Sequence, residues 1–370
     1  MKKHLLTSTA LVAAGLVAFG GTAIAKPKLT VNGNTSVIFG VGENDAAFDA
    51  ATQTSSINDW DVQQDAEIHF NASTKLDNGI KIKARIELEG NTDGDQIDEH
   101  WMRISGSFGE IRVGSTDMVA KTMTAGYQGS SAGVGLSLPF DTSRFVSNPG
   151  GVTTGNANFA DLTSDSEGVA WYSPRMSGFQ LGVGYVPARS QDSNGGREAT
   201  TVDSHGRSLG VNYVTKMDGT SIAIAASYET YAESTVNQDD PEVMAIAAKV
   251  GFSGVNIQAS FVERAEVSTI STGATAVAGL ETFEIGANYK MGANKFSVAL
   301  AESETVTDAG AAGDGDDQSI LAVAWSRAVA PGVNFSLTAW SADYNDGAVG
   351  ATSATSNSGE AIAGRLKVSF

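Results

Sequence analysis

The sequence predicts an all-β protein: an antiparallel transmembrane barrel of about sixteen strands, with short turns at one rim and long loops at the other. Three observations carry that expectation. Apolar and polar residues alternate along one segment after another. The connections between segments are alternately short and long. No stretch beyond the first 25 residues is apolar enough to cross a bilayer as a helix. The stretch from Gly79 to Gly90, GIKIKARIELEG, shows the alternation in its cleanest form. Ile80, Ile82, Ala84, Ile86 and Leu88 fall on one face of a strand, and Lys81, Lys83, Arg85, Glu87 and Glu89 on the other. A solid core could not bury the second face without a severe desolvation cost. A water-filled channel accommodates it, with the isoleucines turned to lipid.

The first element along the chain is a leader. It has Lys2 and Lys3, an apolar run from Leu5 to Phe19, and small residues at Ala23 and Ala25. This is the pattern of a secretory signal cut before Lys26. The run is shorter than a membrane-spanning helix and is interrupted by Thr and Ser. Residues 1–25 are therefore read as a cleaved signal peptide and 26–370 as one barrel domain. Removing 25 of the 370 residues leaves 345, and loss of the two lysines takes the net charge from −18 to −20. There is no cysteine, which excludes disulfides and thiolate metal sites in this exported chain. So acidic a protein is not a nucleic-acid binder. It suits cations and cationic solutes.

Strands follow in order. The first starts near Leu29. The second, from Trp60, sets Trp60, Val62, Ala66, Ile68, Phe70 and Ala72 against Asp61, Gln63, Asp65, Glu67, His69, Asn71 and Ser73. It joins the GIKIKARIELEG strand through a turn at Asn78–Gly79. Later pairs meet at KMDGT, FSG, MGAN and APG, and the chain ends on Ile362, Gly364, Leu366, Val368 and Phe370. Between pairs lie polar segments such as ETYAESTVNQDDPE and VTDAGAAGDGDDQS. Sixteen strands put both termini on the periplasmic side, and closure removes the unpaired edges that lipid does not tolerate. Trp60, Tyr185, Tyr228, Phe252, Tyr289 and Phe370 stand near strand ends, as interfacial aromatics do. One connection is exceptional: some fifty residues, from Thr116 to Glu167, rich in Gly, Ser and Asn. A loop of that length folded into a wide bore is a natural constriction.

The stretches LDNGIKIKARIELEG, HWMRISGSFGEIRVGS and WYSPRMSGFQLGVGYVP resemble the hairpins of Gram-negative general porins, in a form closest to those of alphaproteobacteria. The terminal RLKVSF, with Leu366, Val368 and Phe370 alternating to a final aromatic, resembles the signal read by the barrel assembly machinery. The resemblance implies a homotrimer in the outer membrane, facing lipopolysaccharide, with its third external loop inside the pore. It also implies that wall bases face loop acids across a transverse field that orients dipolar solutes and penalises apolar ones. The function implied is passive diffusion of small hydrophilic solutes and ions, with no cofactor. The acidic balance adds an expectation of mild cation preference.

Candidate pore residues follow from the strand faces. The basic ones are Lys81, Lys83, Arg85 and Arg112, and the constriction acids are Asp117, Asp141, Asp161 and Asp165. Asp65, Glu67, His69 and Asn71 line the neighbouring wall. The register of that hairpin stays open. A five-residue turn at Lys75–Gly79 sets His69 opposite Arg85 and Glu67 opposite Glu87, whereas a two-residue slip sets Asn71 opposite Arg85 and Glu67 opposite Glu89.

Other readings are weaker. GSSAG, from Gly129 to Gly133, matches G-x-S-x-G, but it continues as a Gly/Ser-rich loop rather than the strand–turn–helix that a nucleophile elbow needs. His69, His100 and His205 have no zinc-motif spacing along the sequence. The acidic stretches GDGDDQ and NTDGDQIDE fall on the outer rim; Asp314, Asp316 and Asp317 make a candidate Ca²⁺ site, against the simpler reading of a solvated loop. A substrate-selective pore would call for an aromatic slide, which the sequence does not display. A non-channel surface protein or adhesin would have to bury the charged faces.

Overall fold

Strands with one apolar and one charged face, joined mostly by tight turns, have a stable closed solution in lipid: a cylinder with every backbone group paired. The computed structural model describes residues 26–52, 60–90, 96–138, 141–150, 152–155, 161–163, 165–189, 203–233, 238–265, 267–268, 275–277, 279–306, 315–347 and 351–370. The leader lies outside them.

The described residues form eighteen strands. The first seven are β1 (Lys28–Asn44), β2 (Trp60–Lys75), β3 (Lys81–Glu89), β4 (Ile97–Gly106), β5 (Gly109–Ser115), β6 (Glu167–Tyr172) and β7 (Phe179–Ala188). Then come β8 (Ser204–Met217), β9 (Thr220–Ala232), β10 (Glu242–Phe252), β11 (Val255–Arg264), β12 (Val267–Ser268) and β13 (Thr275–Val277). The last are β14 (Gly279–Met291), β15 (Asn294–Val306), β16 (Asp317–Ala330), β17 (Val333–Asn345) and β18 (Asn357–Ser369). Sixteen of them close into one antiparallel barrel in chain order, with β1 paired to β18; β12 and β13 form a separate ribbon in a long connection. The strand count and closure expected from the sequence are found.

Alternation sorts the two faces. Phe39, Phe70, Ile86, Ile246, Ile285 and Val323 are exposed on the outside. Among the described residues no helix is long and apolar enough to cross a membrane, so the strands make the crossing. The short rim uses the turns that the sequence marks. Asp218–Gly219 and Ser253–Gly254 both take positive φ, at +48° and +82° and at +48° and +84°, the two-residue geometry that matches strand twist. On the other rim, α1 (Ala46–Thr52) is a helix that period-two reading passes over. Asp45 caps it, its Oδ1 accepting from the Ala47 and Phe48 amides.

The β2–β3 register is the slipped one: Asn71 opposite Arg85, His69 opposite Glu87 and Glu67 opposite Glu89. The Leu76 amide donates to the Ile80 carbonyl, leaving Lys75 as the last residue paired across the turn, with Lys81. This register brings the imidazole to a carboxylate. The alternative would have set it opposite Arg85; either register leaves Glu67 opposite another glutamate, Glu89 in the one found.

Closure is completed at the chain end. Phe370 and Gly33 exchange two backbone hydrogen bonds, of 2.9 and 3.0 Å, beyond the β1–β18 ladder.

Candidate functional site

The described residues of the connection between β5 and β6 (116–166) turn inward and run along the inner wall. A backbone withdrawn from bulk water must find partners, and small polar side chains of the wall supply them. Ala120 N donates to Ser208 Oγ (2.7 Å), Gly129 N to Ser260 Oγ (3.1 Å), Leu136 N to Thr338 Oγ1 (3.1 Å) and Gly155 N to Ser303 Oγ (2.9 Å). Two buried carboxylates also serve. Glu284 accepts from Ser130 N, and Glu229 accepts from Leu162 N, Thr163 N, Thr163 Oγ1 and Ser208 Oγ. In return, Gln258 and Asn288 donate to the loop carbonyls of Gln128 and Ala132.

Apolar contacts seat the same loop. Its helix α2 (Val119–Thr124) packs Val119 and Met123, with Met118 just before it, on Ala170, Tyr172 and Val186. Leu136, Leu138, Phe145 and Val146 meet Ile38, Trp340, Tyr344 and a group of wall alanines. The approach is close: a Cβ on Gly286 would clash with the Gly129 carbonyl oxygen. The loop also crosses the line of closure. Ser147 N donates to Asn44 Oδ1 at the end of β1, and Asn357 Nδ2, at the start of β18, donates to both Ser147 O and Asn44 Oδ1.

The loop thus covers the inner faces of the later strands, and the inner faces of β2 to β5 keep the charged groups. In register, Lys83 lies opposite Arg103 and Arg103 opposite Arg112; one step along, Arg85 lies opposite Trp101. The Arg103 and Arg85 guanidinium carbons stand 4.1 and 5.2 Å from the Trp101 ring centre, so one buried indole carries two cations. Glu110 reaches Arg112 (3.5 Å) and Arg103 (3.7 Å), while Glu87 holds Arg85 at 3.0 Å. Arg112 is buried over the Tyr172 ring and donates to Thr122 Oγ1 on the loop. Lys81 and Lys83 are exposed to the channel. Asp65, Glu67, His69 and Asn71 share the inner face of β2; Asn71 accepts from Arg85 Nε.

The loop acids divide into two groups. Asp117 and Asp161 face a base of their own loop: Lys121 Nζ is 2.6 Å from Asp117 Oδ1 and 3.6 Å from Asp161 Oδ2. Asp141 meets Arg144 and, across from β18, Arg365, both at 3.9 Å. Near Lys121, carboxylate oxygens of Glu99, Asp117 and Asp165 lie within 4.8 Å of one another. Burial pushes the Asp165 carboxyl up to about 7, with Asp117 adding to the rise against the opposing pull of Lys121. Burial also raises Asp117. For Lys121 burial alone would lower the value, but Asp117 and Asp161 outweigh it and keep the amine charged.

That cluster gives the constriction a pH dependence. A carboxyl whose folded value stands above its ordinary 3.8 favours the packed loop at low pH and loses that contribution as pH rises toward about 7. Above that point the loop also carries one more negative charge. The cation-to-anion permeability ratio is expected to climb between pH 6 and 8 and to stay flat in Asp165→Asn, as reversal potentials at each pH would show.

Several working residues escaped the sequence reading. Arg103 and Trp101 are legible in HWMRISG, where they share a face with Ser105. Arg365 and Glu229 had no such signal, because their partners lie far away in the chain; Lys121 lies only four residues from Asp117, but on a short helix that period-two reading passes over. Of the candidate Ca²⁺ ligands, Asp314 lies outside the described residues. Asp316 is buried and accepts from the Thr153 and Gly347 amides, and Asp317 accepts from Asn345.

A family model of Gram-negative porins matches residues 7–348. No curated protein matches the sequence significantly. Among solved structures the fold is similar to that of the anion-selective porin from Comamonas acidovorans, with 13% identity, 93% of this chain and 100% of that one covered, and a TM-score of 0.60. It is also similar to OmpT, an outer membrane protein of Vibrio cholerae, in its trimer form (9% identity, 92% and 99% covered, TM-score 0.61). A third likeness is to the outer membrane channel DcaP of Acinetobacter baumannii (12% identity, 95% and 99% covered, TM-score 0.60). At these identities the likeness is one of fold.

Proposed function

Because the chain belongs to the Gram-negative porin family, and so forms a channel in the outer membrane, we propose that it is a general diffusion pore for small hydrophilic solutes and ions, mildly cation-selective. One observation carries this reading. The loop 116–166 narrows the bore against one side and leaves a charged wall along the open side, with the bases Lys81, Lys83, Arg85, Arg103 and Arg112 on one part and the acids Glu87 and Glu89 on the next. A path bordered by both signs admits polar solutes of either charge and penalises those that cannot replace their water. The three arginines Arg85, Arg103 and Arg112 stand in cation–π contact and beside glutamates, which blunts their attraction for anions. The acids of loop and rim tip the balance toward cations. A homotrimer fits this reading, as does a rim meeting lipopolysaccharide; OmpT of Vibrio cholerae is described in a trimer form. Leu366, Val368 and Phe370 alternate to the exposed chain end and would be what the assembly machinery reads.

Planar-bilayer recording of the purified protein tests this function. Large stepwise conductance in multiples of three, with a reversal potential of cation sign in a KCl gradient, is the expected result. A folded barrel that passes no current would overturn it. Arg103 offers a finer test. A unit charge about 7 Å from an ion's path in water is worth about 0.6 kcal/mol, roughly halved by salt screening and opposite in sign for cation and anion, so Arg103→Ser should raise the cation-to-anion ratio about two- to threefold. A ratio unmoved by this change would remove the ladder from the selectivity mechanism.

A further inference from the structure

The inner face of the β2–β3 hairpin holds a second constellation, invisible as a linear motif because two strands build it. His69 lies opposite Glu87 and two residues along β2 from Glu67, so all three project from one face. His69 Nε2 stands 3.0 Å from Glu87 Oε1 and 3.3 Å from Glu67 Oε2, and one ligand atom of each residue lies within 4.8 Å of the other two. Yet Nε2 donates a hydrogen bond to neither carboxylate, and both ring nitrogens are buried atoms without a hydrogen-bond partner. A buried nitrogen left so is costly. A cation shared with the two carboxylates would satisfy it.

We propose that Glu67, His69 and Glu87 form a binding site on the channel wall for a divalent first-row transition metal, with zinc as the best fit. One imidazole nitrogen and two carboxylate oxygens are a donor set that such ions accept, whereas Ca²⁺ and Mg²⁺ favour shells of oxygen alone. Tetrahedral zinc with bonds of about 2.0–2.2 Å separates neighbouring ligand atoms by about 3.3–3.5 Å. The separations of 3.0 and 3.3 Å need little adjustment to reach that geometry, and the fourth position is left for channel water. The carboxylates are held from behind: Arg85 Nη1 bonds Glu87 Oε2, and Asn34 Nδ2 bonds Glu67 Oε2, each at 3.0 Å. Such supports fix ligand orientation. Two carboxylates against one guanidinium leave the site net negative, as a divalent cation requires.

Calorimetric titration of the tag-free protein in detergent with ZnCl₂, and separately with CaCl₂, tests the site without any need for channel activity. Its outcome is therefore distinct from that of the diffusion-pore reading. Saturable binding of one Zn²⁺ per chain is expected, weakened at least about tenfold in His69→Ala, with no Ca²⁺ binding at the same concentrations. Glu67→Gln, a near-isosteric change on the water-facing wall, is expected to weaken binding likewise and carries the test if the alanine variant does not fold. Absence of saturable Zn²⁺ binding, equal binding of Ca²⁺, or affinity unchanged in the variants would overturn the proposal.

Discussion

Glu229→Ala is expected to release the end of the constriction loop and turn a steady channel into a noisy, wider one. The side chain is fully buried, and its carboxylate accepts two loop amides, the Thr163 hydroxyl and the Ser208 hydroxyl. Removing it strands the Leu162 and Thr163 amides away from water, at about 1–3 kcal/mol each. The loop can escape that cost by leaving the wall, where channel water would hydrate both amides. The barrel itself loses no strand pairing. Heat-modifiable mobility on gels should therefore stay native while single-channel recordings show larger mean conductance and flicker. Glu229→Gln, which keeps one acceptor oxygen, should fall between. A quiet, native-sized current from the alanine variant would mean that the apolar contacts of Leu162 with Tyr231 and Val243 hold the loop unaided.

Ile285→Arg is expected to block or strongly impair insertion. Ile285 is the central residue of the 13-residue β14, exposed on the outside beside Ala259 and Leu300. An arginine facing lipid at the bilayer midplane costs about 2–4 kcal/mol, while a lumen charge is tolerated. Gln63→Arg, on the inner face of β2, is the lumen-side control and should fold as the native chain does. Urea unfolding from lipid vesicles reads both. Equal destabilisation would mean that the two faces do not see different solvents.

These cases show which parts of the molecule could be read in advance. Alternation in β2, β3 and β14 revealed the faces, and Asp218–Gly219 revealed a turn, because both are local properties of the chain. Depth was harder to read. Ile82, prominent in GIKIKARIELEG, is only the second residue of β3, beside the periplasmic turn. Register was not legible from pattern, since a two-residue slip preserves every face; pairing His69 with Glu87 rather than Arg85 is an electrostatic choice made across strands. Least visible was the seating of the loop. Ser208, Ser260, Ser303 and Thr338 read as ordinary wet lining, yet each accepts a loop amide more than eighty residues away in sequence. The loop acids were expected to confront wall bases. Asp141 does so through Arg365, but Asp117 and Asp161 turn to Lys121, a partner only four residues from Asp117.

The contacts of Ser147 with Asn44 and Asn357 have a consequence for how the protein is made. Strands β1 and β18 are the last pair that a growing chain can join, because one is synthesised first and the other last. Until they meet, both present open edges. A loop that grips the ends of both strands from inside works as an inner latch on that seam, so the cylinder cannot gape there without also unseating its own filter. Sealing the barrel and anchoring that part of the constriction are then one event: a chain whose seam is still open lacks the contacts of Ser147 with Asn44 and Asn357.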